Sequence, residues 1–190
     1  MSHFFAYLSK MKSIQRWGLM RNVSPENNQE HSFQVAVIAH GLAVIRNTRF
    51  GGAVDPARVA VLALFHDVGE VITGDLPTPI KYFNPQIEKA FGELDGVARR
   101  KLLDMLPKDL RPLYETMLAP ARDEEWTLVK AADKVCAYLK CLEEARAGNR
   151  EFHKAEAACR ERVEQIGLPE VRCFLEEFVP SFRLTLDELN

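Results

Sequence analysis

Seven apolar residues, Val59-Ala-Val-Leu-Ala-Leu-Phe65, run straight into His66 and Asp67. An imidazole and a carboxylate side by side at the end of an apolar helix need a partner, because burying an unpaired charge is strongly unfavourable. A divalent cation would compensate both groups at once. His31 is a further ligand candidate, sharing one helical face with Val35, Ile38, Leu42 and Ile45 at offsets of four, seven, eleven and fourteen. It therefore points to the core from a first helical turn, where a cavity would open. His40 comes nine residues later, about 180° round the same helix, and faces elsewhere. Asp133 lies on an apolar stripe with Val129, Cys136 and Ala137, where an aspartate needs a reason and its neighbours offer no obvious partner. Two imidazoles and two carboxylates suit one first-row divalent ion, whether Mn, Fe, Co, Ni, Cu or Zn. An octahedral site of that kind leaves positions for water or substrate oxygens, which is the chemistry of a metal-dependent hydrolase.

The elements that must bring these residues together are helices. Almost every long segment has a helical period, and none alternates as a strand would. Phe4, Phe5, Leu8, Met11 and Ile14 form a first stripe that runs into Arg16-Trp17, followed by a polar linker over 21–28. A second helix is expected from Gln29 to about Asn47. Asp55-Pro56, a cap followed by proline at the first helical position, starts a third that ends near Asp67. Thr73 to Pro85 contains Gly74, Pro77, Pro79 and Pro85, too many breakers for regular structure, and reads as a loop. Further helices are expected at Gln86–Leu106, Leu110–Leu118, from Asp123 to a C′ glycine at Gly148, Glu151–Gln165 and Glu170–Phe178. The expected architecture is all-α, a single compact multi-helix bundle spanning 1–190 with the metal site between helices. The tail, about 180–190, would pack on the bundle or on a partner subunit.

Composition removes several classes of function. The 190 residues fit one domain with a core that needs no staples. A formal net charge of −2 gives no global field for a polyanion, so nucleic acid is not an expected partner. No apolar run is long enough for a membrane span, and the N-terminus lacks a signal-like segment. Cys136, Cys141, Cys159 and Cys173 form no Cys-x-x-Cys pair and read as small buried hydrophobes in a reducing compartment. The expected location is the cytoplasm.

The order of ligands, a His, then His-Asp, then a distant Asp, resembles the HD-domain superfamily of metal-dependent phosphohydrolases. The match extends to Arg16-Trp17, Glu30-His31-Ser32, His66-Asp67-x-x-Glu70, Thr73-Gly-Asp-Leu-Pro-Thr-Pro79, Lys130-Ala-Ala-Asp133 and Phe178-Val-Pro-Ser-Phe182. With these the chain resembles the bacterial HD-domain 5′-deoxynucleotidases, from His3 to about Glu188. The resemblance implies metal ligands His31, His66, Asp67 and Asp133, and a catalytic Glu70 acting with Arg16 and Asp67. It also implies a substrate pocket of Arg16, Trp17, Asp75, Leu76, Pro77 and Thr78, with Asp67 and Asp133 touching the bound nucleotide. Gly69 and Gly96 depart mildly from an uninterrupted helix, and Gly69 could loosen the placement of Glu70.

The expected reaction is removal of phosphate from deoxynucleoside 5′-monophosphates. Arg16 would match two phosphate oxygens, and Glu70 would either orient a water or protonate the 5′-oxygen. Trp17 would exclude a ribose 2′-hydroxyl by size, and Asp75 would accept from the sugar 3′-hydroxyl. Broad tolerance of the base is expected. There is no histidine between Asp67 and Asp133 to hold a second ion, which favours one metal per subunit. The resemblance suggests a homodimer. The alternatives are hydrolysis of another nucleotide (a triphosphate or a cyclic dinucleotide) and a non-catalytic module of the same shape.

Overall fold

A computed structural model describes residues 1–81 and 83–189; Tyr82, inside the expected loop, and Asn190, at the end of the expected tail, lie outside the described residues. The all-α expectation holds. The helices are α1 (Phe4–Leu8), α2 (Asn28–Arg49), α3 (Pro56–Leu64), α4 (Glu70–Thr73), α5 (Thr78–Lys81), α6 (Pro85–Asp104), α7 (Arg111–Leu118), α8 (Glu124–Arg146), α9 (His153–Glu164) and α10 (Pro169–Glu177). Short 3-10 turns follow α1, precede α9 and close the chain. Among the described residues no strand forms, and the one extended pairing is an isolated antiparallel bridge between Gln15 and Asn27.

The helix starts follow from their caps. Asn27 accepts from the backbone N–H groups of Gln29 and Glu30, and Glu30 returns the favour to the Asn27 N–H, which fixes the first turn of α2 and with it His31. Asp55 and Asn84 cap helices that begin with proline, and Asp123 caps α8.

Two ends differ from expectation. The third helix stops at Leu64, so His66 and Asp67 stand in the turn after it and not on it. The carbonyl of Ala63, which a continuing helix would give to the Asp67 N–H, is taken by the His66 N–H (3.3 Å) and by His66 Nδ1 (2.7 Å). The carbonyl of His66 is in turn taken by Arg99 Nη2 at 2.5 Å. Second, the stretch 73–85 is not wholly irregular, because Pro77 starts a single helical turn, α5, its carbonyl accepting from Ile80 and Lys81.

The core has two parts. The larger joins α2, α3, α8, α9 and α10 around Val35, Leu42, Leu62, Leu128 and Val135. The smaller packs Phe4, Met11, Val68, Leu102, Leu106 and Leu118 together. The turn carrying His66 and Asp67 lies where the chain leaves the first and enters the second. Near the C-terminus Val179 is buried, Arg146 donates to the Leu184 carbonyl at 2.6 Å, and Phe178 stacks on Phe174. No helix of the described residues is long and apolar enough to cross a membrane.

Candidate active site

His31, on the first turn of α2, is 1% exposed, and the stripe residues Val35, Ile38, Leu42 and Ile45 are all buried with it. His40 is exposed. Asp133 comes from the middle of α8, and His66 and Asp67 from the turn after α3. His31, His66 and Asp133 each offer a ligand atom within 4.8 Å of the others. His31 Nε2 is 3.1 Å from Asp133 Oδ1. Asp67 Oδ2 is 3.0 Å from His66 Nε2 and 3.9 Å from His31 Nε2. His31, His66 and Asp133 thus face one point, and Asp67 lies beside it against both imidazoles.

The donor set fits a divalent ion. His66 Nδ1 donates to a backbone carbonyl, which leaves Nε2 as a lone pair; that atom is buried, has no hydrogen-bond partner and looks at two carboxylates. Lone pairs facing lone pairs in a buried space need a cation between them.

Arg16 meets this cluster from a loop. Its Nη1 is 3.3 Å from Asp67 Oδ2, and its Nε donates to Glu26 at 3.2 Å. Burial alone would favour losing its proton, but Asp67, Asp133 and Glu26 outweigh that and hold it firmly charged. Burial likewise opposes ionisation of Asp67; a proton at His66 Nε2, in the place a cation would otherwise take, together with Arg16 holds its carboxyl far below the usual range. Trp17 follows, with a left-handed φ of +57° that a bulky side chain rarely adopts. Its ring packs on Phe152 at 5.4 Å, its Nε1–H donates to Glu26 at 3.1 Å, and its carbonyl accepts from the Met20 N–H at 2.9 Å. The loop from Arg16 to Glu26 closes on itself through the bond from Arg16 N–H to the Glu26 carbonyl, 2.9 Å. Its far side is gripped by α8, where Glu144 accepts from the N–H groups of Val23 and Ser24, and Lys140 pairs with Glu144 at 2.5 Å.

Glu70, first residue of α4, is 7% exposed and receives a hydrogen bond from the buried amide of Asn28. Burial first, then the charges of Asp67 and Asp75, push its carboxyl up to about 8. Asp75 is half-buried; burial and Asp67 raise it while Arg16 pulls the other way. Leu76 and Pro77 are half-buried and Thr78 is exposed. Gly69 does not loosen Glu70. A Cβ there would stand 2.1 Å from Asp95 Oδ1, so glycine lets α6 close tightly on the turn.

Several site residues went unread in the sequence. Lys130 Nζ is 2.9 Å from Asp133 Oδ2, so the aspartate does have a partner, one helical turn upstream, and the spacing of three was visible. Glu26, Asn28 and Arg99 gave no such signal, since each acts across a long stretch of chain or from an irregular segment.

Residues 3–182 match the family described as YfbR-like 5′-deoxynucleotidases. The chain belongs to that family. It is 53% identical to a 5′-deoxynucleotidase of Vibrio cholerae, covering 100% of this chain and 98% of that one. It is 52% identical to the 5′-deoxynucleotidase YfbR of Escherichia coli, covering 100% and 96%. An HD-domain phosphohydrolase of Listeria innocua superposes with a TM-score of 0.79 over 95% of this chain and 88% of that one at 23% identity, a likeness of fold. The cyanophage S-2L HD phosphohydrolase DatZ, solved with dA and one catalytic Zn2+, superposes with a TM-score of 0.65 at 17% identity over 94% of this chain and 95% of that one. As a YfbR-like chain, the protein combines the HD-domain bundle with an arginine and a tryptophan at the mouth of its candidate metal centre.

Proposed function

We propose that this chain is a metal-dependent 5′-deoxynucleotidase, hydrolysing deoxynucleoside 5′-monophosphates to deoxynucleosides and inorganic phosphate. The observation that carries the reading is Arg16 Nη1 at 3.3 Å from Asp67, a guanidinium set beside the His31, His66 and Asp133 cluster. A phosphate bridging the two would meet positive charge on both sides. His31, His66, Asp67 and Asp133 would hold one divalent transition metal, Mn, Fe, Co, Ni, Cu or Zn, which when bound supplies Lewis-acid activation of water and neutralises phosphate charge.

The chain's own residues do the rest. Arg16 grips and orients the phosphate, with Asp67 and Asp133 beside it. Glu70, held by Asn28 and protonated at neutral pH, donates its proton to the departing 5′-oxygen. In this reading Trp17 limits room at the sugar 2′ position and so favours deoxyribose, and Asp75 accepts from the 3′-hydroxyl. Leu76, Pro77 and Thr78 form the wall on that side, and nothing in this set selects a base. The whole chain works as one unit in the cytoplasm, as a homodimer whose contact would cover Phe33, Val37 and Val44 on the outer face of α2, all more than 40% exposed, with Leu64 nearby. Sedimentation of the wild type against Phe33→Asp reads that contact.

The deciding experiment measures phosphate released from dAMP, AMP, dATP and a cyclic dinucleotide in the presence of Co2+ or Mn2+. Release from dAMP above all the others is expected; none from any monophosphate overturns the reading. His66→Ala and Asp67→Ala should lose both metal content and activity.

A further inference from the structure

Outside the ligands and the substrate contacts, one buried charged group touches three parts of the site at once. Glu26 is 9% exposed and ends the loop that begins at Arg16. Its Oε2 accepts from Arg16 Nε at 3.2 Å and from Trp17 Nε1 at 3.1 Å. Its Oε1 is 3.6 Å from Nδ1 of His31, an atom that is buried and has no hydrogen-bond partner. We propose that Glu26 is a positioning residue that aligns the phosphate grip, the sugar wall and a metal ligand through one carboxylate.

The chemistry of each contact supports this. A metal bound at His31 Nε2 leaves the ring proton on Nδ1, and a buried N–H needs an acceptor. Glu26 Oε1 is the carboxylate oxygen facing it. Such a partner fixes the ring's tautomer and tilt and makes the coordinating nitrogen more basic. The other oxygen anchors the near end of the Arg16 guanidinium, so that the far end, Nη1, is aimed at Asp67 and at a phosphate. The same oxygen ties the indole of Trp17, whose left-handed backbone would otherwise tend to relax. The Gln15–Asn27 bridge and the grip of Glu144 on Val23 and Ser24 set the backbone that presents it.

This inference rests on the proposed pocket, and its test separates the two. Glu26→Gln keeps the side-chain volume and one acceptor for the indole but removes the charge; Glu26→Ala removes both. Each variant, loaded with Co2+, is equilibrated against chelator-buffered Co2+ and its retained metal measured. The ratio of kcat/KM for dAMP over AMP is then read at saturating Co2+. Weaker Co2+ retention by about 10- to 100-fold is expected in both variants, the range found for partners of metal-bound histidines. KM for dAMP should rise in both as Arg16 is released. The preference for dAMP should fall in Glu26→Ala to the level of Trp17→Ala and be kept in part by Glu26→Gln. A residue that merely supports folding would lower thermal stability and leave retention and ratio untouched. Retention by Glu26→Gln within twofold of wild type overturns the proposal, and so does an unchanged preference in Glu26→Ala. If wild type releases no phosphate from dAMP, or Trp17→Ala keeps the full preference, the pocket reading falls instead, while Co2+ retention still decides for or against Glu26.

Discussion

Glu70 works against its own charge. Burial, Asp67 and Asp75 raise its carboxyl to about 8, and the Asn28 amide offers it a donor. Its proton is therefore present at neutral pH and is lost as pH rises through that value; a bound cation nearby lowers the value and moves the loss to lower pH. Glu70→Gln should reduce kcat for dAMP by about 100- to 10,000-fold with metal content retained. The loss should be much smaller with p-nitrophenyl phosphate, whose leaving group needs no proton. Equal losses on both substrates would place Glu70 on the water side. At this scale the proposed ligands were legible because they contradicted their surroundings: His31 and Asp133 sit on apolar stripes, and His66-Asp67 interrupts an apolar run. Asn28 and Glu26 contradicted nothing. A polar residue in a polar linker carries no sign that the chain will bury it, and only the closure of Arg16 onto Glu26 does so.

Among the elements, most bounds were readable to within a residue or two, and the end of α3 was not. A cap acts within four residues of its helix, so Asp55 and Asp123 announce themselves, whereas Asn84 lay in a stretch read as a loop. The end of α3 depends on Arg99, which takes the His66 carbonyl from 33 positions away and the Leu118 carbonyl at 2.8 Å, and no local pattern predicts that. The α8 anchor of the Arg16–Glu26 loop is likewise long-range, and its strength depends on pH. Burial opposes the charge of Glu144, but Lys140, Asn149 and the N–H groups of Val23 and Ser24 bring its carboxyl from 4.5 down to about 2. The folded state thus binds this proton less readily than the unfolded chain. The stability it contributes is complete above about 4.5 and disappears as pH falls towards 2. Urea unfolding of the wild type and Glu144→Gln should differ most near neutral pH, and the gap should close below 4.5. A gap independent of pH would mean that packing, and not charge, anchors the loop.

For the whole molecule, the site stands at the seam of two cores, with His31 and Asp133 fixed in the larger and the His66–Glu70 segment passing to the smaller. An ion held by all of these would join the parts. Saturating Co2+ at about 100 times its dissociation constant should stabilise the fold by about 2.7 kcal/mol, a rise in Tm of about 5–10 °C, and EDTA should reverse it. No change in Tm would argue that the residues converge without binding. The left-handed backbone of Trp17 has a separate consequence. Glycine takes that conformation freely and alanine does not. Trp17→Gly and Trp17→Ala both delete the indole, yet the glycine variant should be the more stable by about 1 kcal/mol, the reverse of the usual order, as chemical denaturation would record. Once the indole is gone, position 17 should therefore settle on glycine or asparagine before any other small residue. The indole's grip on Phe152 and Glu26 is what holds a bulky side chain on this backbone, so fold and discrimination both rest on the same ring.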